Sequence, residues 1–249
     1  MERLNRFLAR SGVASRRGAD DLISSGSVLV NGDRPPPSGV LVDPDRDVVT
    51  VDGRVVKPRT KHRYLMLNKP LGVITTAKDE ASRPTVLDAV GDEGMAGHRL
   101  FPVGRLDADT TGLLVLTDDG ELAFRLTHPR YKVAKEYIAV VVGSPNEKDV
   151  ESLRAGVELE DGKTAPAEVE IVSFDPAPGA ARTELRIVIR EGRQRQVRRM
   201  LHAIGHKVQS LRRTGFGTLK LGRLKTGDWR VLGEAEVEAL RRAVRIEPA

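Results

Sequence analysis

A turn running straight into a strand constrains this chain most. Gly104-Arg105-Leu106-Asp107-Ala108-Asp109-Thr110-Thr111-Gly112 is polar and turn-forming. It feeds Leu113-Leu114-Val115-Leu116, which Asp118-Asp119-Gly120 closes. An unbroken apolar run with turn signals at both ends predicts a buried strand. Asp107 then sits at the edge of a core, partly shielded from water. A reactive carboxylate is usefully kept there, but so is an ordinary turn aspartate.

At 249 residues the chain has room for one large and one small domain. Aromatic residues make up only 4%, so the core must be aliphatic. The formal charge of +6 points toward a polyanionic partner. The absence of cysteine excludes disulfides, thiolate zinc sites and cysteine nucleophiles. The first six residues are too charged for a secretory signal. No apolar run approaches the roughly 20 residues of a membrane span. A soluble, cytoplasmic, monomeric protein is the expectation.

Residues 1–57 read as a separate module. Leu4, Phe7, Leu8 and Val13 suit one face of a first helix, and Ser15 suits the N-cap of a second that stops at Gly26. Strands are expected at residues 27–30 and 47–51, the latter ending in Asp52-Gly53, with Pro35-Pro36-Pro37 holding a loop between them. Arg3, Arg6, Arg10, Arg16 and Arg17 face only Glu2 as an acidic counterweight in the first 17 residues, which favours phosphate contact over a merely solvated helix face. The order of these pieces resembles the S4 RNA-binding domain. Residues 58–63 read as a basic linker, and residues 64–249 as the second domain. There the pattern predicts a strand, a Pro/Gly turn and a second strand over residues 64–74. Helices are expected near residues 85–90, 121–127, 146–155, 194–203 and 234–244. Further strands are expected at 135–142, 167–174, 185–189, 208–213 and 229–232. Strands outnumber helices without strict alternation, so the fold class is α+β with a mixed, largely antiparallel sheet.

Four readings of the central turn compete. Asp107, Asp109, Thr111, Gly112 and Asp118 fall on calcium-loop positions, yet the last ligand should be a glutamate. Asp107 and Asp109 could form the paired carboxylates of a glycosidase, but Trp229 is the chain's only tryptophan. An ordinary turn is the third. The fourth pairs Asp107 with an inward arginine. Between Arg190 and Arg213 the chain carries eight Lys/Arg against one acidic residue, a surplus that repels itself unless an anion lies against it. Within it, Arg198 follows Arg195 by three positions on one predicted helix, so one of them can turn inward toward a carboxylate, with Asp107 the obvious candidate. His202 and His206 have metal-helix spacing but lack the glutamate of that motif. Tyr137 can pack in the core or stack on a nucleobase, and Lys135 on the same strand face hints at a cleft.

Lys69-Pro70-x-Gly72, Gly104-Arg105-Leu106-Asp107 with Thr110-x-Gly112-Leu113-Leu114, Lys135-x-Tyr137, and Glu191-Gly192-Arg193-x-Arg195-Gln196-Val197-Arg198-Arg199-Met200 occur in that order. Together they resemble the ribosomal RNA pseudouridine synthases that carry an N-terminal S4-like domain. The resemblance implies isomerisation of a ribosomal RNA uridine without cofactor or metal, and large-subunit RNA is favoured over small. It makes Asp107 the nucleophile and Tyr137 the residue that stacks on the base. Arg198 becomes the partner of the aspartate. Leu211 lines the base pocket and Arg105 helps displace the target base. Lys135 and Arg195 are expected to touch substrate. Arg193, Arg199, Arg212 and Arg213 are expected to face the RNA backbone with the five arginines of the small module. A catalytically silent RNA-binding protein on the same fold is the alternative, disfavoured by the intact Asp107, Tyr137 and Arg198.

Overall fold

A computed structural model describes residues 1–77, 79, 81–177 and 181–246. The chain divides into two compact units, each with its own core.

The first unit contains residues 1–63 together with 97–99 and 118–120. Strand β1 (Glu2–Arg3) leads into helix α1 (Leu4–Arg10), and helix α2 (Arg16–Ser25) follows. The Ser15 side chain accepts from the Gly18 amide at the start of α2, and Gly26 closes it at φ +82°. Strands β2 (Val28–Val30), β3 (Leu41–Val42), β4 (Val49–Val51) and β5 (Arg54–Val56) follow. β4 and β5 form a hairpin through Asp52 and Gly53, both at positive φ, the geometry that favours Asp-Gly in a two-residue turn. Leu4, Phe7, Leu8, Ala19, Ile23 and Val28 are buried together beneath it. The basic segment 58–63 is bonded within this unit: Arg59 donates to the Gly97 carbonyl, and the Arg63 amide donates to Asp118 Oδ1. His62 and His98 flank the same carboxylate at 3.2 and 2.8 Å.

The second unit is built on one mixed sheet. Its strands are β6 (Tyr64–Lys69), β7 (Phe101–Pro102), β8 (Thr111–Thr117), β9 (Lys135–Val142), β10 (Glu168–Asp175), β11 (Arg182–Ile189), β12 (Val208–Phe216), β13 (Leu219–Lys220) and β14 (Trp229–Val231). The main path runs β10-β11-β9-β12-β8-β6-β14, with β7 on β8 and β13 on β12. Among the described residues every pairing is antiparallel except β12 with β8. The helices are α3 (Gly91–Met95), α4 (Gly120–Thr127), α5 (Glu147–Ala155), α6 (Gln196–Ala203) and α7 (Glu234–Ala243).

The apolar run of β8 divides between two cores because successive strand residues face opposite ways. Leu114 and Leu116 pair with Leu67 and Leu65 in the cluster that also holds Tyr137, Leu211 and Met200. Leu113 and Val115 face the other cluster, with Met66, Leu122, Leu126, Val237 and Leu240. Each such buried side chain stabilises the fold by about 1.5–3 kcal/mol at most.

Two expected elements are absent. Residues 85–90 are turns, and a short helix begins only at Gly91. The Asp88 carboxylate accepts from the Thr85 amide and hydroxyl and the Asp88 amide donates back to the Thr85 hydroxyl, the reciprocal cap of a helix start, but only isolated turns follow, Ala89 to Thr85 and Gly91 to Leu87. The second strand expected before residue 74 reduces to one bridge between Ile74 and Thr85, where Ile74 bonds to Pro84 and Val86, while Gly72 and Thr75 bond to the Asp107 turn.

Gly112 lies where β12 and β8 meet, at φ +107°. A Cβ there would overlap the Arg213 carbonyl oxygen and lie 2.7 Å from its amide nitrogen. Gly112→Ala is therefore expected to cost about 3 kcal/mol of stability, measured by urea denaturation. An unchanged midpoint would refute this account of the junction.

Candidate active site

The chemistry-bearing turn is held by its neighbours. The Thr75 hydroxyl donates to the Leu106 carbonyl at 2.7 Å and accepts from the Leu106 amide at 3.3 Å. The Gly72 amide donates to the Ala108 carbonyl, and the Thr110 amide closes onto the Asp107 carbonyl. Lys69-Pro70-x-Gly72 thus packs its turn against the residues on both sides of Asp107. Leu106 is buried in the cluster of Tyr137 and Leu211, while the Asp107 side chain stays 38% exposed.

Two arginines of the 190–200 segment reach this turn. Arg195 stands at the α6 N-cap with φ +48°, and Arg198 lies in the first turn of α6. Arg195 grips Asp109 with both terminal nitrogens, at 3.1 and 2.7 Å, and comes within 3.8 Å of Asp107. Arg198 donates to the Asp109 carbonyl at 2.7 Å, with its Nε 3.3 Å from Asp109 Oδ2. The expected Arg198–Asp107 pair is thus corrected. Arg198 is the inward arginine, its side chain only 13% exposed, but its carboxylate is Asp109 and the nearest cation to Asp107 is Arg195. Two residues make the difference, because the Asp107–Thr110 turn carries Asp109 toward the helix. The Arg195 hydrogen bonds hold the Asp109 carboxyl below its ordinary range, and burial pulls the Arg198 guanidinium down.

Lys69 was not singled out from sequence for this site, although its motif was. It is fully buried, its Nζ donates to the Pro70 carbonyl, and burial lowers it to about 8 against the opposing pull of Asp109 and Asp107. A lysine ending an otherwise apolar strand, Leu65-Met66-Leu67-Asn68-Lys69, was the available signal. Lys135 is a second such case. Burial, with Arg213 adding to it against Glu191, lowers it to about 8, and its Nζ donates to the Val133 carbonyl. Tyr137 is 8% exposed, and across the strands it faces Arg213 and Ile187, while Leu211 faces Ala139.

Of the arginines expected to meet a phosphate backbone, several are otherwise engaged. Arg213 is 2% exposed, donates its Nε to the Leu113 carbonyl, and lies 4.9 Å from the Phe216 ring centre. It fills the split where β8 leaves β12, so it is a buried wedge rather than a surface contact. Arg193 donates to the carbonyls of Asp161, Gly162 and Lys163, and Arg199 pairs with the Asp161 carboxylate, so both tie the 161–163 loop to α6. Arg105 and Arg212 are exposed. In the first unit Arg6 and Arg10 share Glu2 at 3.4 and 2.7 Å, and Arg3 donates to the Ser38 carbonyl. Arg16 and Arg17 are exposed and make no ion pair among the described residues.

The competing readings lose their geometry. Asp118, the required last calcium ligand, gives its oxygens to His62, His98 and the Arg63 amide. Burial works to raise this carboxyl, yet those bonds hold it to about 2. Asp107 and Asp109 lie in a turn, not on one strand face, and Asp109 is already bonded to two arginines. His206 bonds to the Val142 carbonyl and Asp149, away from His202, which is exposed.

Residues 63–203 match the RNA pseudouridylate synthase model, and residues 2–34 match the S4 domain. The chain belongs to the RNA pseudouridylate synthase family. It is 45% identical over 246 residues to an RNA pseudouridine synthase of Aquifex aeolicus, covering 98% of this chain and 96% of that one. It is 45% identical over 241 residues to ribosomal large subunit pseudouridine synthase B of Bacillus subtilis, covering 97% and 96%. The crystal structure of a pseudouridylate synthase superposes with a TM-score of 0.68 at 32% identity, covering 96% of this chain and all of that one. This pseudouridine synthase is therefore an isomerase acting on RNA, with an α+β catalytic fold and an N-terminal S4 domain.

Lys69 supplies a pH test. Its native value of about 8 lies below the ordinary 10.5, so the unfolded chain binds more protons between those limits and stability rises with pH there. From pH 7.5 to 9.5 the wild type should gain about 2 kcal/mol relative to Lys69→Met, read by urea denaturation. A pH-independent difference would show that Lys69 is ordinarily solvated.

Proposed function

We propose that this enzyme converts a uridine of large-subunit ribosomal RNA to pseudouridine, with Asp107 as nucleophile and no cofactor. The observation that carries the reading is the Asp107 turn, anchored by Thr75 and Gly72 and met by Arg195, in a chain whose family isomerises RNA uridines. An Asp107 oxygen attacks C1′ of the ribose, and the C1′–N1 bond breaks with its electron pair going to the base. The freed uracil turns, its C5 bonds to C1′, and the carboxylate is released. The C5 proton leaves and N1 takes one up. Reactant and product are isomers and no electron is gained or lost, so the balance requires neither redox cofactor nor metal. A uridine within a helix must first leave its stack to reach the carboxylate, and Arg105, exposed beside Asp107, is suited to hold the vacated space.

Tyr137 stacks on the base and Leu211 lines its pocket. Arg195 and Arg198 fix the acidic turn, and Lys135 lies two residues along the Tyr137 strand face. Residues 1–57 act as the RNA-binding module, 58–63 as the linker and 64–249 as the catalytic domain. Arg3, Arg6, Arg10, Arg16, Arg17 and Arg212 meet phosphates. The large-subunit assignment rests on the Bacillus subtilis relative and on the Vibrio cholerae large subunit pseudouridine synthase B, 40% identical over 252 residues and covering 99% of this chain and 76% of that one. The enzyme works as a cytoplasmic monomer on ribosomal RNA or an assembly intermediate.

Tritium release from C5-labelled uridine in large-subunit ribosomal RNA tests the chemistry. Asp107→Asn should abolish release and leave RNA affinity unchanged, and turnover surviving in that variant would remove Asp107 from the role. Arg16→Ala with Arg17→Ala should instead weaken binding and reduce its salt dependence by about one unit per charge, leaving the chemical step intact. An unchanged salt slope would exclude that helix end from phosphate contact.

A further inference from the structure

The sheet face away from Tyr137 carries a surface the reaction does not use. Helix α4 buries Leu122, Ala123 and Leu126 and turns Phe124 outward, 52% exposed. One turn later His128 is exposed too, its ring centre 5.0 Å from that of Phe124, and Tyr131 follows at 6.3 Å from His128. Three adjoining rings stand here, in a chain whose Phe, Tyr and Trp amount to 4%.

Beside the rings lies a cavity of about 480 Å³ lined by Arg125, Arg130, Tyr131, Ala243 and Arg245. Arg130 lies over the Tyr131 ring at 4.6 Å and bonds to its hydroxyl. Arg125 is anchored by the Val244 and Arg245 carbonyls and by Glu121. Arg130 and Arg245 make no ion pair among the described residues, and Lys132 adds a further exposed cation. Of the three cavity arginines only Arg125 has a carboxylate, Glu121, among the described residues, and neighbouring guanidiniums repel one another unless an anion lies against them.

We propose that Phe124, His128 and Tyr131 form a stacking platform for unpaired RNA bases, with the Arg125–Arg130–Arg245 cavity seating a backbone phosphate of the same strand. Rings with arginines beside them suit single-stranded RNA because every base has a π face and every linkage a charge. The proposal rests on the RNA-modifying reading above and extends it. The platform packs on the cluster of Leu113 and Val115, and Tyr137 belongs to the cluster on the opposite sheet face, so an RNA contacting both must fold around the domain. A large structured substrate can do this and a short hairpin cannot.

The test uses the full chain and an in vitro transcript of large-subunit ribosomal RNA. Phe124→Ala with His128→Ala should weaken transcript binding about tenfold, and Phe124→Tyr should bind as wild type. Arg130→Ala with Arg245→Ala should weaken binding similarly and reduce the salt slope by about 1.4. A 4-thiouridine-substituted transcript should photocrosslink to the peptide spanning residues 124–131. Unchanged affinity and slope in both double variants, or crosslinks confined to other peptides, would overturn the platform. Tritium release by the wild type is measured in parallel. Its absence would defeat the catalytic reading while leaving the binding losses as evidence for the platform, and normal release without binding losses would do the reverse.

Discussion

The catalytic domain depends on how one short acidic turn is held. A carboxylate that attacks carbon must be fixed in place without being consumed by its own supports. The structure separates the two duties. Main-chain groups of Leu106, Asp107 and Ala108 take the anchoring bonds from Thr75, Thr110 and Gly72. Asp109, two residues on, takes the strong arginine contacts. Asp107 is left with its nearest cation at 3.8 Å, a distance that attracts without a hydrogen bond. Had Arg198 bonded Asp107 directly, the oxygen proposed to attack would have had to break a charge-assisted bond before reaching a ribose.

Much of this architecture was legible in the chain, and the misses share a cause. The β8 run, the Asn146-capped α5, β9 over Lys135–Val142 and the Ser15-capped α2 follow from local chemistry, and all appear. The failures lie where a distant segment outbid the local pattern. Residues 70–74 were patterned for a strand, but the Gly72 amide bonds to Ala108 in the Asp107 turn and Ile74 bonds to Pro84 and Val86. Residues 85–90 were patterned for a helix and carry its capping bonds between Thr85 and Asp88, but Ile74 pairs with the Pro84 carbonyl and the Val86 amide and only turns follow. The same holds within the site. Acid and base were recognisable by type and motif, yet the partner of each depends on where a turn and a helix N-terminus meet. Arg213 shows the limit: within a run of arginines, nothing in the sequence marks the one that plugs a split in the sheet.

The surplus of basic residues between Arg190 and Arg213 also divides once the fold is known. One set is structural: Arg193 and Arg199 clamp the 161–163 loop, and Arg213 fills the sheet. A second set, Arg195 and Arg198, serves the acidic turn. A charge excess in a sequence is therefore poor evidence for the extent of a nucleic-acid surface, since main-chain carbonyls and a loop carboxylate engage several of these guanidiniums within the fold. What argues for RNA is cations that are exposed and make no ion pair among the described residues, Arg212 in this segment and Arg16 and Arg17 in the first unit.

Gathering cations beside Asp107 has a consequence for the proposed reaction. Lys69, Arg195 and Arg198 stand against Asp107 and Asp109, three positive charges to two negative. In the mechanism proposed above, an Asp107 oxygen that bonds to C1′ loses its charge, and the displaced uracil carries one instead. The field that attracted the aspartate then acts on the departing base, at a distance where partial burial makes it stronger than in water. Negative charge moves from acid to base within one positive cleft. In the proposed reaction the bond broken is C1′–N1 and the bond made is C1′–C5, so both steps occur at one ribose carbon within reach of the same cations.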